Sequence, residues 1–325
     1  MSRTRLTVLT VLCTAATLLA AGCGATTDKP SDGGGSASGC TPGEPANLPD
    51  PKPIDVDVAA DSALSAQLPA NITADGKLVI ATDASYAPNE YTLEDSEEII
   101  GMDVDLGKAI GKVLGVEVEF VSATFDGILA GIGAARYEAS MSSFTDTKER
   151  EQTVDFVTYL EAGTSTMVRK CNPKNIKTTT DLCGLKVGAE NGTTQLDQLS
   201  KEDVESSVVK ACKDAGKEPP TPQGFPKQTD VNAALQANRI DAYMADSPVV
   251  DYAVKKTGDA FEKAGEDTDS APYGIALPKG AGTMKEAVQA AVQKLIDDGT
   301  YKKILDNWGT GGGAITESKI NGAIY

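Results

Sequence analysis

The sequence predicts an α/β fold built as two similar lobes, each with a parallel sheet covered by helices. Two observations support this prediction. Short apolar runs alternate with segments whose apolar residues recur at helical spacing, which favours parallel strands joined by helices. The alternation stops and later resumes, and RYEASM at residues 136–141 is similar to RIDAYM at residues 239–244, which ends the second set of elements.

The elements of the first lobe follow one another without long gaps. Residues 78–81 form an apolar run that ends at Asp83 and predicts a buried strand. Asp103 and Gly115 bracket a stretch with helical spacing, so we predict a helix that Asp103 caps and Gly115 ends. A strand at 116–120, a helix over 126–136 and a strand over 138–142 complete the set.

The second lobe repeats this order. We predict a strand at residues 185–188, a helix near Gln195 and a strand that ends at Asp246. After a further strand at 273–278, an amphipathic segment and a terminal segment with Trp308 predict two helices.

The first residues have the composition of an export signal. Two arginines precede an apolar run over residues 6–21, which is short for a bilayer span. The run closes on LAAGC and resembles the lipobox of bacterial lipoproteins, in which cleavage leaves the cysteine, here Cys23, as a lipid-carrying N-terminus. We therefore expect a lipoprotein signal peptide at residues 1–22 and a mature protein anchored to the extracytoplasmic face of the cell membrane. Residues 23–75 are rich in Gly, Ser and Pro without a sustained apolar period, so we expect a flexible tether there.

Charge and cysteine content exclude several functions. The chain has 30 basic and 47 acidic residues. Nucleic-acid affinity depends on Lys and Arg that neutralise phosphates, so we expect no nucleic-acid partner. Histidine and C-x-x-C are both absent, so the common zinc ligand sets cannot form, and we expect neither a metal nor a cofactor. Beyond Cys23, the mature chain retains Cys40, Cys171, Cys183 and Cys212, which allow three disulfide pairings outside the cell.

Polar clusters follow the predicted strands. They lie at residues 83–86, 125–127, 142–150 and 190–195, and Asp246 closes the later strand. In open α/β sheets, ligands collect beyond the carboxyl ends of the strands, so we expect these clusters to form one site. A guanidinium pairs with a carboxylate and an aspartate accepts from an ammonium group, so Arg150 and Asp246 together suit a zwitterion. The alternative for Arg150 is a surface ion pair with Asp146 or Glu149.

One stretch is similar to a known family. The run MSSFTDTKER at residues 141–150, followed by Val154, Asp155 and Phe156, resembles the signature of family 3 bacterial solute-binding proteins, the polar amino-acid receptors of ABC importers. The likeness extends over residues 77–310. It includes residues 82–88, 101–106, 191–195, 244–248 and 298–301.

The resemblance implies a periplasmic-binding-protein type II fold, in which two lobes joined by a two-segment hinge close on the ligand. Lobe I is expected at residues 76–160 and 272–325, and lobe II at residues 161–271. The chain should cross between the lobes near residues 160–164 and 268–272.

The resemblance also implies roles for individual residues. Arg150 corresponds to the clamp for the ligand carboxylate, and Asp246 to the acceptor for its ammonium group. Tyr86 and Phe125 correspond to an aromatic pair that sandwiches the ligand, with core packing as the alternative for both rings. Asp83 corresponds to a residue that approaches the ligand side chain. The complete predicted ligand-binding set is Asp83, Tyr86, Phe125, Ser142, Ser143, Thr145, Arg150, Glu190, Thr193, Thr194, Gln195 and Asp246.

Two positions depart from the family pattern. Asn89 replaces a phenylalanine that is common in the family, and Glu190 occupies a position where relatives have lysine or an apolar residue. If Glu190 faces the pocket beside Asp83, the two carboxyl groups repel an acidic side chain and favour a basic or amide-bearing L-amino acid. The alternative is a solvated Glu190.

Lobe II contains three of the four remaining cysteines. Cys183 and Cys212 flank its first strand and helix and could join them. This pairing leaves Cys40 with Cys171, although the sequence leaves the other pairings open.

The predicted function is that of a receptor rather than an enzyme. A lipid-anchored monomer would capture a polar L-amino acid and present it to the permease and ATPase of an ABC importer. One alternative is an enzyme on the same fold, such as a periplasmic cyclohexadienyl dehydratase, with Glu190 or Asp83 as its acid or base. The absence of histidine argues against this enzyme. A second alternative, a ligand-sensing subunit of a membrane signalling protein, would keep the same pocket.

Overall fold

The structure, a computed structural model, describes Cys40, residues 50–93 and residues 96–325. The predicted signal peptide, Cys23 and most of the first half of the predicted tether lie outside the described residues. Among the described helices, none has the length and hydropathy needed to span a bilayer.

The predicted strands and helices occur in the predicted order, with further short elements between them. The strands are β1 Lys77–Thr82, β2 Ser85–Tyr86, β3 Glu90–Thr92, β4 Ile99–Ile100, β5 Glu117–Ser122, β6 Ala139–Ser140, β7 Val154–Arg169, β8 Lys186–Glu190, β9 Thr221–Phe225, β10 Ala242–Asp246 and β11 Phe261–Pro278. The α-helices are α1 Ser62–Ser65, α2 Ala70–Asp75, α3 Met102–Leu114, α4 Phe125–Gly133, α5 Thr194–Ser200, α6 Val208–Asp214, α7 Gln228–Gln236, α8 Ser247–Thr257, α9 Met284–Asp297 and α10 Thr300–Trp308. Short 3-10 helices occur at Arg150–Gln152, Thr179–Asp181 and Gly311–Gly313.

The large sheet is mixed, with strand order β5-β1-β6-β11-β7-β10-β8-β9. Strands β5, β1 and β6 are mutually parallel, as are β10, β8 and β9, and these two triplets flank the long antiparallel pair β11 and β7. The prediction of parallel sheets therefore holds for each triplet and is wrong for the strands between them. The polar, exposed stretch at residues 265–268 hid the continuity of β11, because it interrupts the apolar pattern.

The carboxyl ends of the two triplets point towards each other. Ser140 of β6 lies level with Phe156 of β7, because both pair with Ala276. Asp246, the last residue of β10, pairs with Thr164 further along β7. Strand β6 runs in the direction of β7 and β10 runs against it, so the two triplets approach each other along β7 and end at the levels of Phe156 and Thr164. The fold thus brings residues at the carboxyl ends of β1, β5, β6, β8 and β10 to one place.

The two predicted crossing segments lie side by side in the long strands. Residues 160–164 belong to β7 and residues 268–272 belong to β11, and Ala162 pairs with Ala271. Register shifts interrupt the ladder on both sides of Thr268. The pairing between β7 and β11 is therefore least regular at the level of the cleft.

Separate apolar cores lie on the two sides of this junction. Helices α3, α9 and α10 bury Leu106, Val292 and Trp308 in the largest core, and α4 contributes Ile128 to a second cluster. On the β10 side, helices α5, α6, α7 and α8 form clusters such as the one around Leu235. Each triplet therefore has apolar packing of its own.

Helix α3 begins differently from the prediction. Its N-cap residue is Gly101, and Asp103 lies buried in the first turn. The Asp103 Oδ2 accepts hydrogen bonds from the Ser143 amide at 3.1 Å and the Tyr159 hydroxyl at 2.8 Å. The predicted cap is wrong because this carboxylate binds other segments instead of the amides of its own helix. Gly115 ends the helix in the left-handed conformation, as predicted.

The prediction of a flexible tether is wrong for residues 50–75. Alternating apolar residues from Ile54 to Val58 pack partly buried against the core that contains α3, and Leu68 and Ile72 are buried in it. The alternation spans only a few residues between prolines and aspartates, so composition outweighed it in the sequence. This segment belongs to the folded unit.

The structure contains two disulfides with the favoured pairing. Cys183 is bonded to Cys212, which joins the loop before β8 to helix α6. Cys40 is bonded to Cys171, which follows the end of β7. The second bond attaches a residue of the predicted tether to the β10 side of the molecule.

Candidate functional site

A small cavity lies where the carboxyl ends of the two triplets meet. Its wall contains every residue of the predicted ligand-binding set and one residue that the sequence analysis did not select, Glu90. The lining residues are Asp83, Tyr86, Glu90, Phe125, Ser142, Ser143, Thr145, Arg150, Glu190, Thr193, Thr194, Gln195 and Asp246. A larger groove beside the crossing segments contains none of the predicted residues.

Asp246 is held from both sides of the cavity. The Tyr86 hydroxyl donates to its Oδ2 at 2.9 Å and the Gln195 amide donates to its Oδ1 at 2.8 Å. Burial raises the pKa of Asp246, and the nearby Tyr273 hydroxyl, the hydrogen bonds from Tyr86 and Gln195 and the charge of Arg150 oppose the rise. The carboxylate therefore has donors that a ligand ammonium group can replace.

Arg150 lies opposite, between backbone carbonyls and aromatic rings. Its Nη1 donates to the Thr145 carbonyl at 2.8 Å and its Nη2 donates to the Gly192 carbonyl at 2.9 Å. The guanidinium carbon lies 5.7 Å from the centre of the Phe125 ring and 5.2 Å from that of Phe144, and the two rings stack. Within the described part of the chain, Arg150 forms no ion pair, so the surface ion-pair interpretation is wrong. Its charge remains available to an anionic ligand group.

The aromatic residues serve both packing and the cavity. Phe125 belongs to the core cluster of α4 and also lines the cavity. Tyr86 is buried, and its hydroxyl contacts Asp246 across the cleft. Core packing is therefore confirmed for Phe125, and contact of the two rings with a ligand stays a prediction.

Glu90 lies in the cavity wall next to the serines that follow β6. The hydroxyls of Ser142 and Ser143 donate to its two carboxyl oxygens at 3.4 Å and 3.2 Å, and the Asn89 side chain donates to the Ser143 oxygen at 2.9 Å. Burial raises the pKa of Glu90, and the neighbouring Asp103 raises it further. The available signal in the sequence was an acidic residue only two positions after Pro88, beside the departure at Asn89.

Glu190 and Asp83 face each other across the cleft. Glu190 ends β8 and is 2% exposed, so the interpretation of a solvated side chain is wrong. The Asp83 Oδ2 accepts from the Phe125 amide at 3.0 Å, and each of the two carboxyl groups affects the pKa of the other. Burial, followed by the charge of Asp83, raises the pKa of Glu190 to about 9. The Glu190 Oε1 is buried without a hydrogen-bond partner.

Residues at the start of α5 form the remaining part of the cavity wall, and hydrogen bonds hold their side chains in place. The Thr193 hydroxyl accepts from the Leu196 amide at 3.2 Å and donates to the Glu190 carbonyl at 2.7 Å. The Gln195 side chain also donates to the Thr164 hydroxyl at 3.0 Å, which ties it to β7. The side chains of the second triplet are therefore positioned by the fold itself.

These contacts define a binding protein with a cleft between two packed sides. A cavity with one guanidinium, several carboxyl groups and aromatic faces suits a small ligand that carries both anionic and cationic groups. Among the described residues, no cluster of His, Cys, Asp or Glu is arranged to hold a metal ion.

Residues 78–311 match the bacterial extracellular solute-binding proteins, family 3, and the chain belongs to this family. The predicted family and the type II periplasmic-binding-protein fold are thus confirmed. Members of the family act outside the cytoplasm.

Named relatives bind different amino acids. The arginine-binding protein ArgT of Corynebacterium glutamicum is 31% identical over 277 residues, which cover 84% of each chain. The L-cystine-binding protein TcyJ of Escherichia coli is 31% identical over 234 residues, which cover 72% of this chain and 82% of TcyJ. The solved structure of an ancestral arginine-binding protein bound to arginine has a TM-score of 0.64 and 35% identity, and covers 72% of this chain and 98% of its own.

Proposed function

We propose that this protein captures a polar L-amino acid outside the cytoplasm, with a preference for basic or amide side chains, and delivers it to the permease and ATPase of an ABC importer. One observation carries the proposal. Arg150 and Asp246 come from the two sides of the cleft and line the same small cavity. Together they complement the carboxylate and the ammonium group that every free amino acid carries.

Each group of the ligand has a residue of the cavity wall to contact. The ligand carboxylate accepts hydrogen bonds from Arg150, and its ammonium group donates to Asp246. The ring of Phe125 packs against the ligand. The side chain of the ligand extends towards Asp83 and Glu190. Identity alone does not select the amino acid, because relatives at 31% identity are named for arginine and for cystine.

Closure of two lobes around the ligand follows from the same contacts. We assign lobe I to residues 76–160 and 272–325 and lobe II to residues 161–271. Hydrogen bonds from Tyr86 to Asp246 and from Arg150 to Gly192 join the two sides only when the cleft is narrow. A ligand that binds both sides shifts the population towards this closed state.

The site supports a receptor rather than an enzyme. Its carboxyl groups contact serine and tyrosine hydroxyls, amides and one another, and the named relatives above are binding proteins. We further propose that the protein is a monomer and that Cys23 carries the lipid that anchors it to the membrane. Metabolic labelling with palmitate, compared between the wild type and Cys23→Ser, tests the anchor.

Calorimetric titration of the purified protein with the common L-amino acids tests the proposal. We expect micromolar binding, about −8 kcal/mol, of one or a few amino acids. Arg150→Ala and Asp246→Asn should each weaken it at least a hundredfold, because each leaves one charged end of the ligand unpaired. A ligand methyl ester, which lacks the carboxylate charge, should lose affinity for the wild type and much less for Arg150→Ala.

The matched control is Arg136→Ala, which removes a guanidinium that lies over the Tyr137 ring outside the cavity. This variant should bind like the wild type. Failure of every amino acid to bind would overturn the proposal. Recovery of a chemically altered ligand would favour the enzyme instead.

A further inference from the structure

Glu190 is the most unusual group in the cavity. It is buried, one of its carboxyl oxygens has no hydrogen-bond partner, and the other side of the carboxyl group faces Asp83. A buried carboxylate without donors is costly, and two carboxylates in contact repel each other. The pair is therefore stable only while it holds a proton or faces a cation.

The surroundings of Glu190 are almost entirely acidic. Asp83 after β1, Asp126 in the first turn of α4 and Asp246 at the end of β10 all act on it and disfavour its negative charge. The Tyr86 hydroxyl is also near and neutral. Around the cavity as a whole, the carboxyl groups of Asp83, Glu90, Glu190 and Asp246 outnumber the single guanidinium.

The neighbouring cations do not neutralise this excess of carboxyl groups. Lys227, the exposed residue before α7, acts on Asp83. Arg150 acts on Asp246 and is the group that a ligand carboxylate neutralises. In the empty site, the negative charge of Glu190 thus has no cation of its own within the cavity wall.

We propose that Glu190 carries a proton in the closed, ligand-free cleft and releases it to solvent when the cationic end of a basic side chain takes its place, so that Glu190 selects basic over amide-bearing amino acids and links their capture to pH. This inference rests on the proposed function. It narrows the ligand class, and it assigns to one residue the choice between a charged and a neutral side chain.

The chemistry of the step is an exchange of one positive charge for another. The O–H bond of the Glu190 carboxyl group breaks, the proton leaves to water, and a guanidinium or ammonium group takes its place between Glu190 and Asp83. A neutral amide or ureido group brings no charge, so the proton stays. The raised pKa of Glu190, about 9, is consistent with a proton held at neutral pH.

Calorimetry with L-arginine and L-citrulline, which differ in a charged guanidinium against a neutral ureido group, tests this exchange. Titrations at pH 6, 7 and 8 in buffers of different ionisation enthalpy give the number of protons released. We expect arginine to release up to one proton and its affinity to rise by up to tenfold per pH unit, since the free site holds the proton more tightly than the bound site. At pH 8, citrulline should bind at least tenfold more weakly than arginine, and the affinity for citrulline should depend little on pH.

Two variants separate Glu190 from the other carboxyl groups. Glu190→Gln should abolish both the proton release and the rise of arginine affinity with pH, and should reduce the preference for arginine over citrulline. Asp105→Asn is the control, because Asp105 is a buried carboxyl group outside the cavity that accepts from the Trp308 indole and the Ile54 amide. Asp105→Asn should release protons on arginine binding as the wild type does.

The outcomes distinguish this inference from the proposed function. If Glu190→Gln keeps the proton release, or if the wild type binds citrulline as tightly as arginine, the role of Glu190 is refuted while the receptor stands. If neither arginine nor any other amino acid binds, the proposed function itself is refuted. If glutamine binds tightly without proton release while arginine does not bind, the amide preference holds and the exchange is wrong.

Discussion

At the residue scale, Asp155 illustrates how one carboxylate joins segments that are distant in the chain. It lies at the start of β7 and accepts from Lys279 at 2.8 Å, from Lys285 at 3.0 Å and from the Asn321 side chain at 3.0 Å. Burial alone would raise the pKa of Asp155, but these hydrogen bonds and the lysine charges lower it to about 2. The carboxylate thus favours the folded state whenever it is ionised.

We expect Asp155→Asn to lower the free energy of unfolding by about 1 kcal/mol at pH 7, because the lysines remain partly exposed and solvent screens them. The folded-state pKa lies below the usual value of about 3.9, so the contribution is present above that value and is lost as pH falls towards 2. Urea unfolding at pH 7 and pH 3 measures the difference between the variant and the wild type. Asp57→Asn, at an exposed position, should leave the free energy of unfolding unchanged at both pH 7 and pH 3.

The sequence predicted individual site residues where the family pattern is dense. Arg150 follows one predicted strand and Asp246 ends another, and the fold places both in the cavity. Glu90 was missed because its burial depends on the hydroxyls of Ser142 and Ser143, which lie more than fifty positions away. Contacts of this kind leave no local pattern in the chain.

At the element scale, the Cys183–Cys212 disulfide links the loop before β8 to α6. The two cysteines are 29 positions apart, and Cys212 is buried in a core cluster of the β10 side. A covalent link across such a loop reduces the conformational freedom of the unfolded chain. It therefore stabilises this side of the molecule without contacting the cavity.

We expect the double variant Cys183→Ala with Cys212→Ala to lower the free energy of unfolding by about 3 kcal/mol, mainly through the loop-closure entropy of the unfolded state. Denaturant unfolding under non-reducing conditions measures the loss. Amino-acid affinity should stay within about twofold, because neither cysteine lines the cavity. A stability equal to that of the wild type would show that the bond contributes nothing.

Elements with a sustained period were predictable, and the others were not. The helix that ends at Gly115 and the strand that ends at Asp246 have clear periodicity and lie where the sequence predicts them. Residues 54–58 alternate too briefly to outweigh their proline-rich surroundings, and the charged middle of β11 has no apolar face. Packing against the core orders the first segment, and pairing with β7 on both sides of it holds the second in place.

At the scale of the whole molecule, a glycine lies where the two sides approach each other closely. Gly192 precedes α5 on the β8 side, adopts the left-handed conformation with a φ of 79°, and faces Asp126 of α4. An added Cβ would lie 3.0 Å from both the Cα and the Cβ of Asp126. The Gly192 carbonyl also accepts a hydrogen bond from Arg150, so this contact belongs to the closed cleft.

We expect Gly192→Ala to weaken amino-acid binding about tenfold or more, because the methyl group keeps the two sides apart and penalises the closed state. The matched control is Gly184→Ala, which has a φ of 73° but nothing within 4 Å of its added Cβ. Both variants lose about 1 kcal/mol of stability to left-handed strain, so only the steric contact across the cleft differs between them. Calorimetry measures the affinities, and small-angle scattering with saturating ligand should give a larger radius of gyration for Gly192→Ala alone. Equal affinities in the two variants would mean that ligand binding does not require this approach of the two sides.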